Sequence, residues 1–484
     1  MVCWARDAKR PLYPISTGLN WGYGGRNPVV PGAVILDLSG MRGIRNADSI
    51  SLANPVAVLE PGVTQGQLQE FLRQRAPGLS FNVTGSARET SIIGNSLDRG
   101  VGYLGPRRED LFGLEVVTGT GELLQTGFRR LGESSPLAHT HPYGLGPMLD
   151  GLFFQGNFGI VTSACFRLLP RAPRQVAVSL SLRRAEDLGR LIDELALLKR
   201  EGVMGSVTHI GNKARTHASL MYGISAYLER DCGMTPATVP QEAARALALV
   251  APYEWTSLGG VSGTAGQVRA ALRHIKSRLR GLARVMVVDD RKLALGYGVM
   301  HGLRWFAPAR ANAAAIAAIR PLHGLAAGQP TDAAVDNLLW RFGRAELPAA
   351  QLDESDCGVL FINPALPMNG AFAAEVARRM VEIAAGFGHE LYLTLNIETA
   401  TSLVAVANLL YDRSEPSEVT RAQRCADALL AYIHAQGLEV YRARADMMAD
   451  VVDAESPYWQ SVRGLKAVFD PDNIIAPGRY NIAV

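Results

Sequence analysis

Glycine is concentrated in the stretch PISTGLNWGYGGRNP, residues 14–28, which follows the strand-like run RPLYPIS. Closely spaced glycines let a backbone turn sharply and present successive N–H groups to an anion, because no Cβ blocks the approach. The stretch is neither G-x-x-x-x-G-K followed by Ser or Thr nor a G-x-G-x-x-G that opens a helix, so it matches no nucleotide fingerprint. By itself it favours a structural turn over a pyrophosphate cradle.

A second stretch of this kind, VTGSARETSIIGNSLDRGVGYLG at residues 83–105, changes that balance. It combines small hydroxyl residues with Gly94, Gly100 and Gly102. Two such loops in one β-rich region suit the binding of an extended dinucleotide.

Composition restricts the class of protein. The chain has 484 residues, 48% of them hydrophobic, which is enough for two or three domains of roughly 100–200 residues. The net charge is +4, and no basic run is interleaved with aromatics, so nucleic acid is not an expected partner. The five cysteines lie far apart without C-x-x-C spacing, which argues against a disulfide framework, a zinc site or an attached haem.

No stretch approaches the ~20 apolar residues that span a bilayer, and the first residues lack the apolar core of a signal peptide. We therefore expect a cytoplasmic protein with no membrane partner and no metal.

The order of predicted elements indicates an α+β fold. Strand-like runs such as AVILDLSG, PVAVLEPGV and GIVTSACFRLLP fill the first third of the chain. One helix interrupts them: Thr64 is the predicted N-cap of QGQLQEFLRQR, whose apolar residues fall on one face. From about residue 175 longer helices such as AEDLGRLIDELALLKRE alternate with strands such as HELYLTLNI, and from about residue 436 the chain ends in the turn-rich FDPDNIIAPGRY.

Taken in order, STGLNWGYGG, SIIGNSLDRGVGY, GLEVVTGTGELLQTG, YGLGPMLDGLFFQGNFGIVT, VYRAR and DPDNIIAPGRY resemble motifs of the vanillyl-alcohol oxidase and 4-cresol dehydrogenase (p-cresol methylhydroxylase) flavoprotein family. The resemblance implies an FAD-binding domain of that type, split between both chain ends, and a substrate-binding cap domain. The implied boundaries are 1–174 for the N-terminal part of the FAD domain, 175–435 for the α+β cap domain and 436–484 for the returning segment. Family members carry a few tens of residues before the part that matches CWARDAK, so the FAD domain is expected to be truncated at its start.

The resemblance also implies which residues bind FAD. The pyrophosphate would be wrapped by Pro14, Ile15, Ser16, Thr17, Gly18, Leu19 and Asn20. The other side of the cofactor would be lined by Ile93, Gly94, Asn95, Gly100, Gly102 and Tyr103, and its adenine or isoalloxazine end would be reached by Gly159, Ile160 and Val161. One basic residue, Arg479, follows the APG turn.

For catalysis, the resemblance implies that Tyr23, Tyr441 and Arg442 bind a phenol as its phenolate. A phenol with a pKa near ~10 is mostly protonated at neutral pH, and a guanidinium with hydroxyl donors favours its anion. The phenolate then makes loss of hydride from the para benzylic carbon easier. FAD would accept that hydride at N5.

Two positions depart from the family pattern. Phenol oxidases carry an aspartate near flavin N5, and here Ser86 stands at the matching position, with Glu89 the nearest carboxylate. A serine cannot act as a comparable base without assistance. The stretch DCGVLFINP, residues 356–364, contains neither the histidine nor the tyrosine that tethers FAD in many members, and Cys357 is expected to be structural, so FAD is predicted to be held non-covalently.

These observations favour an FAD-dependent oxidoreductase that takes hydride from a small aromatic or phenol-like alcohol, amine or alkyl carbon. Electrons would pass to oxygen or to a separate acceptor protein, and a homodimer is expected because dimers are common in the family. Two alternatives stay open: a 2-hydroxy-acid oxidase or dehydrogenase that uses Arg442 to bind a carboxylate, and a flavin-binding protein with a degenerate redox site.

Overall fold

The computed structural model describes residues 1–482, which form sixteen strands and fourteen α-helices. The strands are β1 (Leu12–Ile15), β2 (Val34–Asp37), β3 (Val56–Leu59), β4 (Leu79–Ser80), β5 (Leu111–Thr118), β6 (Leu123–Gln125), β7 (Gly159–Arg167), β8 (Leu169–Pro170), β9 (Arg174–Leu182), β10 (Thr208–Asn212), β11 (Trp255–Gly263), β12 (Ala283–Val288), β13 (Cys357–Ile362), β14 (Ala365–Pro367), β15 (Tyr392–Ile397) and β16 (Ser402–Asp412).

The helices are α1 (Val2–Asp7), α2 (Gln65–Arg75), α3 (Ile92–Leu97), α4 (Leu188–Arg200), α5 (Lys213–Arg230), α6 (Val239–Val250), α7 (Ala265–Arg278), α8 (Asp290–Gly302), α9 (Ala307–Ala326), α10 (Ala333–Arg341), α11 (Gly370–Gly386), α12 (Pro416–Ala435), α13 (Met448–Val451) and α14 (Pro457–Phe469). The predicted α+β fold class is confirmed. None of the helices in residues 1–482 has the length and apolar character that crossing a bilayer requires.

A four-stranded sheet with the order β3-β7-β5-β6 organises the first part of the chain, and all its neighbouring strands are antiparallel. Helix α2 packs on it through Leu68 and Leu72, which are buried. The helix begins where the sequence predicts, because the side chain of Thr64 accepts a hydrogen bond from the Gln67 N–H at 3.2 Å. The same hydrophobic cluster contains Ile92 and Ile93, so α3 and its loop are fixed to this sheet.

An eight-stranded sheet dominates the middle of the chain, with the order β12-β9-β11-β10-β15-β16-β13 and β14 paired to β16. Helix α4 buries Leu191, Ile192 and Leu195 in the hydrophobic cluster of this sheet. Helices α5, α6 and α9 form a separate cluster around Ile224 and Leu247. Residues in and next to β10 and β13 lie close to the candidate active site.

The C-terminal segment returns to the first residues of the chain. The Leu12 N–H donates to the Ile474 carbonyl at 2.6 Å, and the Ala476 N–H donates to the Leu12 carbonyl at 2.7 Å. Ile474 and Ile475 pack in one cluster with Val2 and Leu12. The exact boundaries 1–174, 175–435 and 436–484 stay predictions, and residues 483–484 of the last segment lie outside the described residues.

A buried ion pair holds this returning segment. Lys466 Nζ lies 2.6 Å from Asp470 Oδ2 and also donates to the Ile475 carbonyl at 2.8 Å. Both side chains are almost fully buried, so each charge depends on the other for its stability.

We expect Asp470→Asn to leave the Lys466 ammonium buried without its counter-charge and to destabilise the fold by about 3–5 kcal/mol. Urea denaturation and thermal melting measure this effect. Asp472→Asn is the matched control, since Asp472 is exposed and two residues away. Equal stability of the two variants would contradict the assignment.

Candidate active site and cofactor cavity

An elongated cavity lies where four segments of the chain meet. Its walls come from the first glycine-rich loop, the turn that contains α3, the start of β7 and the C-terminal turn. The lining residues include 13–20, 93–95, 97–98, 155–157, 159–161, 475–476 and 479–480, together with Arg442.

Direct contacts join the two glycine-rich stretches. The Ser91 N–H donates to Thr17 Oγ1 at 3.2 Å, and Ser91 Oγ accepts from the Gly94 N–H at 2.9 Å, which caps α3. A Cβ on Gly94 would lie 2.2 Å from Ser16 Oγ, so only glycine lets the two loops approach this closely. Gly18 adopts φ +72°, in the left-handed region that glycine enters without strain.

Most of the predicted cofactor residues line this cavity. They are Pro14, Ile15, Ser16, Thr17, Gly18, Leu19, Asn20, Ile93, Gly94, Asn95, Gly159, Ile160, Val161 and Arg479. Three others, Gly100, Gly102 and Tyr103, are not among the lining residues. A Cβ on Gly100 would lie 2.1 Å from Asn95 Oδ1, so this glycine makes room for a lining residue. Gly102 packs in the same way against Asn82, and Tyr103 packs on His209.

The structure brings Tyr23, Tyr441 and Arg442 together beside the cavity. The two tyrosine side chains are close enough for each to shift the pKa of the other. The Arg442 guanidinium lies 3.9 Å from the centre of the Tyr23 ring, and the other face of that ring stacks on Phe361 with centroids 4.7 Å apart. The side-chain Nδ2 of Asn363 donates to the Tyr23 hydroxyl, and the backbone carbonyl of Asn363 accepts from the Tyr441 N–H at 3.0 Å.

Both tyrosines are held as neutral hydroxyls. Burial raises the pKa of Tyr441 to about 12, although Arg442 opposes the shift. Burial also raises the pKa of Tyr23 well above its usual value, and the neighbouring Tyr441 adds to that effect. At neutral pH the pair can therefore donate hydrogen bonds to an anion.

Asp98 organises the charges, and our reading of the sequence did not single it out. Arg442 Nε donates to Asp98 Oδ2 at 2.7 Å, and Arg442 Nη2 lies 2.6 Å from the same oxygen. The Tyr480 hydroxyl donates to Asp98 Oδ1 at 3.4 Å, and Arg479 Nη2 lies 4.0 Å from the same oxygen. Burial alone would lower the pKa of Arg442, but Asp98 raises it above its usual range. The sequence signal for Asp98 was an acidic residue within SIIGNSLDRGVGY, a loop motif composed mainly of small and apolar residues.

Ser86 forms no hydrogen bond to a carboxylate within residues 1–482. Its hydroxyl is 2.5 Å from Thr84 Oγ1, and the Thr84 N–H donates to Gln65 Oε1 at 2.9 Å. Glu89 is exposed on the surface of the same loop. Neither Ser86 nor its neighbour Thr84 therefore supplies an acid in place of the missing aspartate.

Cys357 is buried in β13, against a cluster that includes Trp21 and Leu339. Burial raises the pKa of its thiol to about 12, so the nucleophilic thiolate is scarce at neutral pH. Cys357 does not line the cofactor cavity. These facts agree with the structural role expected for Cys357, while the mode of FAD attachment stays a prediction.

The fold and the cavity together define a cofactor-binding oxidoreductase, and comparison with known proteins agrees. Residues 1–127 match the model of the FAD binding domain family. The chain is 31% identical to 1'-carboxy-chondrochloren decarboxylase of Chondromyces crocatus, over 99% of this chain and 87% of that protein. It is 27% identical to the 4-cresol dehydrogenase [hydroxylating] flavoprotein subunit of Pseudomonas putida, over 98% of this chain and 84% of that subunit.

Solved structures give the same result. The structure of p-cresol methylhydroxylase with substrate bound matches with a TM-score of 0.80 and 25% identity, covering 100% of this chain and 86% of that chain. The 4-ethylphenol oxidase of Gulosibacter chungangensis has the same fold, with a TM-score of 0.80 at 23% identity and the same coverage. The chain belongs to the vanillyl-alcohol oxidase and 4-cresol dehydrogenase (p-cresol methylhydroxylase) family of flavoproteins. It is an FAD-dependent oxidoreductase, and FAD is its cofactor.

The cavity fits that cofactor. Arg479 lines it, and the Nη1 atom of Arg479 is buried without a hydrogen-bond partner in the described part of the chain. A buried guanidinium nitrogen of this kind is satisfied by an oxygen or nitrogen acceptor on a ligand.

We expect Gly94→Ala to abolish or strongly weaken FAD binding, because the new Cβ would collide with Ser16 Oγ and separate the two loops. The ratio of flavin to protein absorbance in the purified protein measures the effect. Gly151→Ala is the control, because a Cβ there meets no atom within 4 Å. Full flavin content in Gly94→Ala would show that the close approach of the loops is not needed.

Proposed function

We propose that the chain oxidises a small para-substituted phenol, which binds as its phenolate to Tyr23, Tyr441 and Arg442. The observation that carries this proposal is the pair of neighbouring neutral tyrosines, with the Arg442 guanidinium packed on the Tyr23 ring and itself lining the cofactor cavity. In this arrangement both tyrosines donate hydrogen bonds to the phenolate oxygen, and Arg442 supplies positive charge.

The charges of the cluster favour an anionic ligand. Arg442 and Arg479 carry two positive charges, and Asp98 neutralises one of them. One positive charge remains among these three side chains, in a largely buried site where charge interactions are stronger than in water. The buried carboxyl of Glu398 also lies close enough to raise the pKa of Tyr441, but burial raises its own pKa to about 7, so it is only partly charged at neutral pH. A phenol with a pKa near ~10 is therefore expected to lose its proton on binding.

FAD, when bound, supplies the two-electron acceptor for the reaction. The chain would hold it through Pro14, Ile15, Ser16, Thr17, Gly18, Leu19 and Asn20 on one wall, with Ile93, Gly94, Asn95, Gly159, Ile160, Val161 and Arg479 completing the cavity. We propose non-covalent binding and transfer of electrons to oxygen or to a separate acceptor. The name of the 4-cresol dehydrogenase relative, a flavoprotein subunit, is compatible with a separate acceptor.

A second candidate reaction is the oxidative decarboxylation of a phenol whose side chain carries a carboxylate. Ser86 favours it, because this position offers no carboxylate to deprotonate an alcohol or a water molecule at the reacting carbon. The substrate would give up its benzylic hydride to FAD, and loss of carbon dioxide would then return the electrons of the broken carbon–carbon bond to the ring as its phenolate, so that no base is needed. The relative with 31% identity is named as a decarboxylase.

Anaerobic mixing with 4-ethylphenol is expected to bleach the flavin absorbance, whereas the methyl ether of the same phenol, which cannot form a phenolate, should not. In Tyr441→Phe one donor to the phenolate is lost, and the Kd for 4-ethylphenol should rise about 10- to 100-fold. Tyr458→Phe is the control, because Tyr458 is 67% exposed. Equal bleaching by the phenol and the ether would refute the phenolate clamp, that is, the binding of a phenolate by Tyr23, Tyr441 and Arg442.

The affinity for 4-ethylphenol should depend on pH. Because the phenolate is the bound form, the apparent Kd should fall about tenfold per pH unit between pH 6 and 9, below the substrate pKa near ~10. Tyr441, whose pKa is raised to about 12 by burial, remains a neutral donor throughout this range. The dependence of the anaerobic bleaching rate on phenol concentration, measured at each pH and at constant ionic strength, gives the Kd and hence the slope. A more acidic phenol should reach a plateau above its own pKa, and a flat profile for both ligands would contradict the proposal.

A further inference from the structure

A second polar cluster lies near the Ser86 loop and is not explained by the phenolate clamp. It consists of Tyr103, His209 and Arg215. The Tyr103 and His209 rings are in contact, with centroids 4.6 Å apart. Arg215 is close enough to both side chains to shift their pKa values.

Rigid elements position all three side chains. The Tyr103 N–H donates to the Val83 carbonyl and the Tyr103 carbonyl accepts from the Val207 N–H, both at 2.9 Å. His209 lies in β10, where its Nδ1 is 2.7 Å from Asn396 Oδ1 on the neighbouring strand β15. Arg215 follows β10 in the first turn of α5. The cluster is therefore built between the second glycine-rich stretch and the eight-stranded sheet.

Arg215 lacks a counter-charge. No acidic side chain in residues 1–482 forms an ion pair with it, and its guanidinium donates no hydrogen bond to any described residue. Burial lowers its pKa, and only Tyr103 opposes that shift. Arg442, by contrast, has Asp98 as its partner. The guanidinium of Arg215 is partly exposed and has no protein partner, so it can pair with an anionic ligand through charge-assisted hydrogen bonds.

Two more polar groups of the cluster are unsatisfied. Nε2 of His209 is buried without a hydrogen-bond partner in the described part of the chain. The Tyr103 hydroxyl also has no hydrogen-bond partner among residues 1–482, and burial raises its pKa, so it remains a donor at neutral pH. A guanidinium beside a free hydroxyl donor is a combination suited to a carboxylate.

The cluster borders the predicted reaction centre. A Cβ on Gly85 would lie 3.7 Å from the Tyr103 hydroxyl oxygen, and Gly85 directly precedes Ser86. A substrate whose reacting carbon lies near Ser86 could therefore extend its side chain to Tyr103 and Arg215.

We propose that Arg215 and Tyr103 form a carboxylate subsite, and that the substrate is a phenol whose para side chain carries a carboxylate. Arg215 provides the charge, the Tyr103 hydroxyl donates a hydrogen bond, and His209 positions the Tyr103 ring. This inference rests on the proposed function, because it assigns the second end of the same substrate.

The test measures ligand binding to the FAD-loaded full chain. Two probes share a skeleton: 3-(4-hydroxyphenyl)propanoate carries the carboxylate and 4-ethylphenol lacks it. The wild type should bind the acid more tightly. Arg215→Met should raise the Kd of the acid about 10- to 100-fold while changing the Kd of 4-ethylphenol by less than twofold, and Arg215→Lys should restore part of the loss. Anaerobic isothermal titration calorimetry, with the flavin reduced beforehand by dithionite, gives these constants without turnover.

Controls separate this inference from the proposed function. Arg280→Met removes an exposed arginine and should bind both probes like the wild type. Flavin content and melting temperature must match the wild type in every variant that is compared. An unchanged acid Kd in Arg215→Met, or an equal loss for both probes, would overturn the carboxylate subsite. If Tyr441→Phe leaves both affinities unchanged while Arg215→Met weakens only the acid, the phenolate clamp fails and the subsite stands.

Discussion

The ion pair between Asp98 and Arg442 is the interaction on which the rest of the site depends. It joins residues 344 positions apart and fixes the second glycine-rich stretch to the C-terminal segment. Arg442 also donates to Asn20 in the first glycine-rich loop and lies over the Tyr23 ring. A guanidinium this deeply buried requires a partner, so the carboxylate, the cavity wall and the tyrosine pair form one coupled unit.

This coupling explains why the same segments of the chain build both the cofactor cavity and the proposed phenolate clamp. Asn20 lines the cavity while it accepts from Arg442, and Gln155, another lining residue, donates to the Tyr441 carbonyl at 3.0 Å. A shift of Asn20 or Gln155 in the cavity wall would therefore also move Arg442 or the backbone of Tyr441, because part-buried hydrogen bonds join them. In the proposed function, the positive charge left after the Asp98 carboxylate is subtracted from Arg442 and Arg479 would stabilise a bound phenolate.

Arg442 and Arg215 differ in whether an acidic side chain balances their charge. Arg442 is neutralised in part by Asp98, whereas Arg215 has no acidic partner within residues 1–482. Ser86 contributes a hydroxyl that lies 2.5 Å from Thr84 Oγ1. In the proposed arrangement, specificity comes from charges at the two ends of the substrate, and the chain provides little acid or base chemistry at its centre.

The sequence by itself determined the glycine-rich loops, the helix capped by Thr64 and the order of motifs that identifies the flavoprotein family, because these depend on local backbone requirements and linear spacing. It also suggested Tyr23, Tyr441 and Arg442, since they lie within recognisable motifs. Only the tertiary structure revealed the role of Asp98, because its partners come from the distant C-terminal segment. Only the tertiary structure could reveal Arg215 as well: the absence of a counter-charge depends on every neighbour that the fold brings near, and no stretch of sequence contains that information.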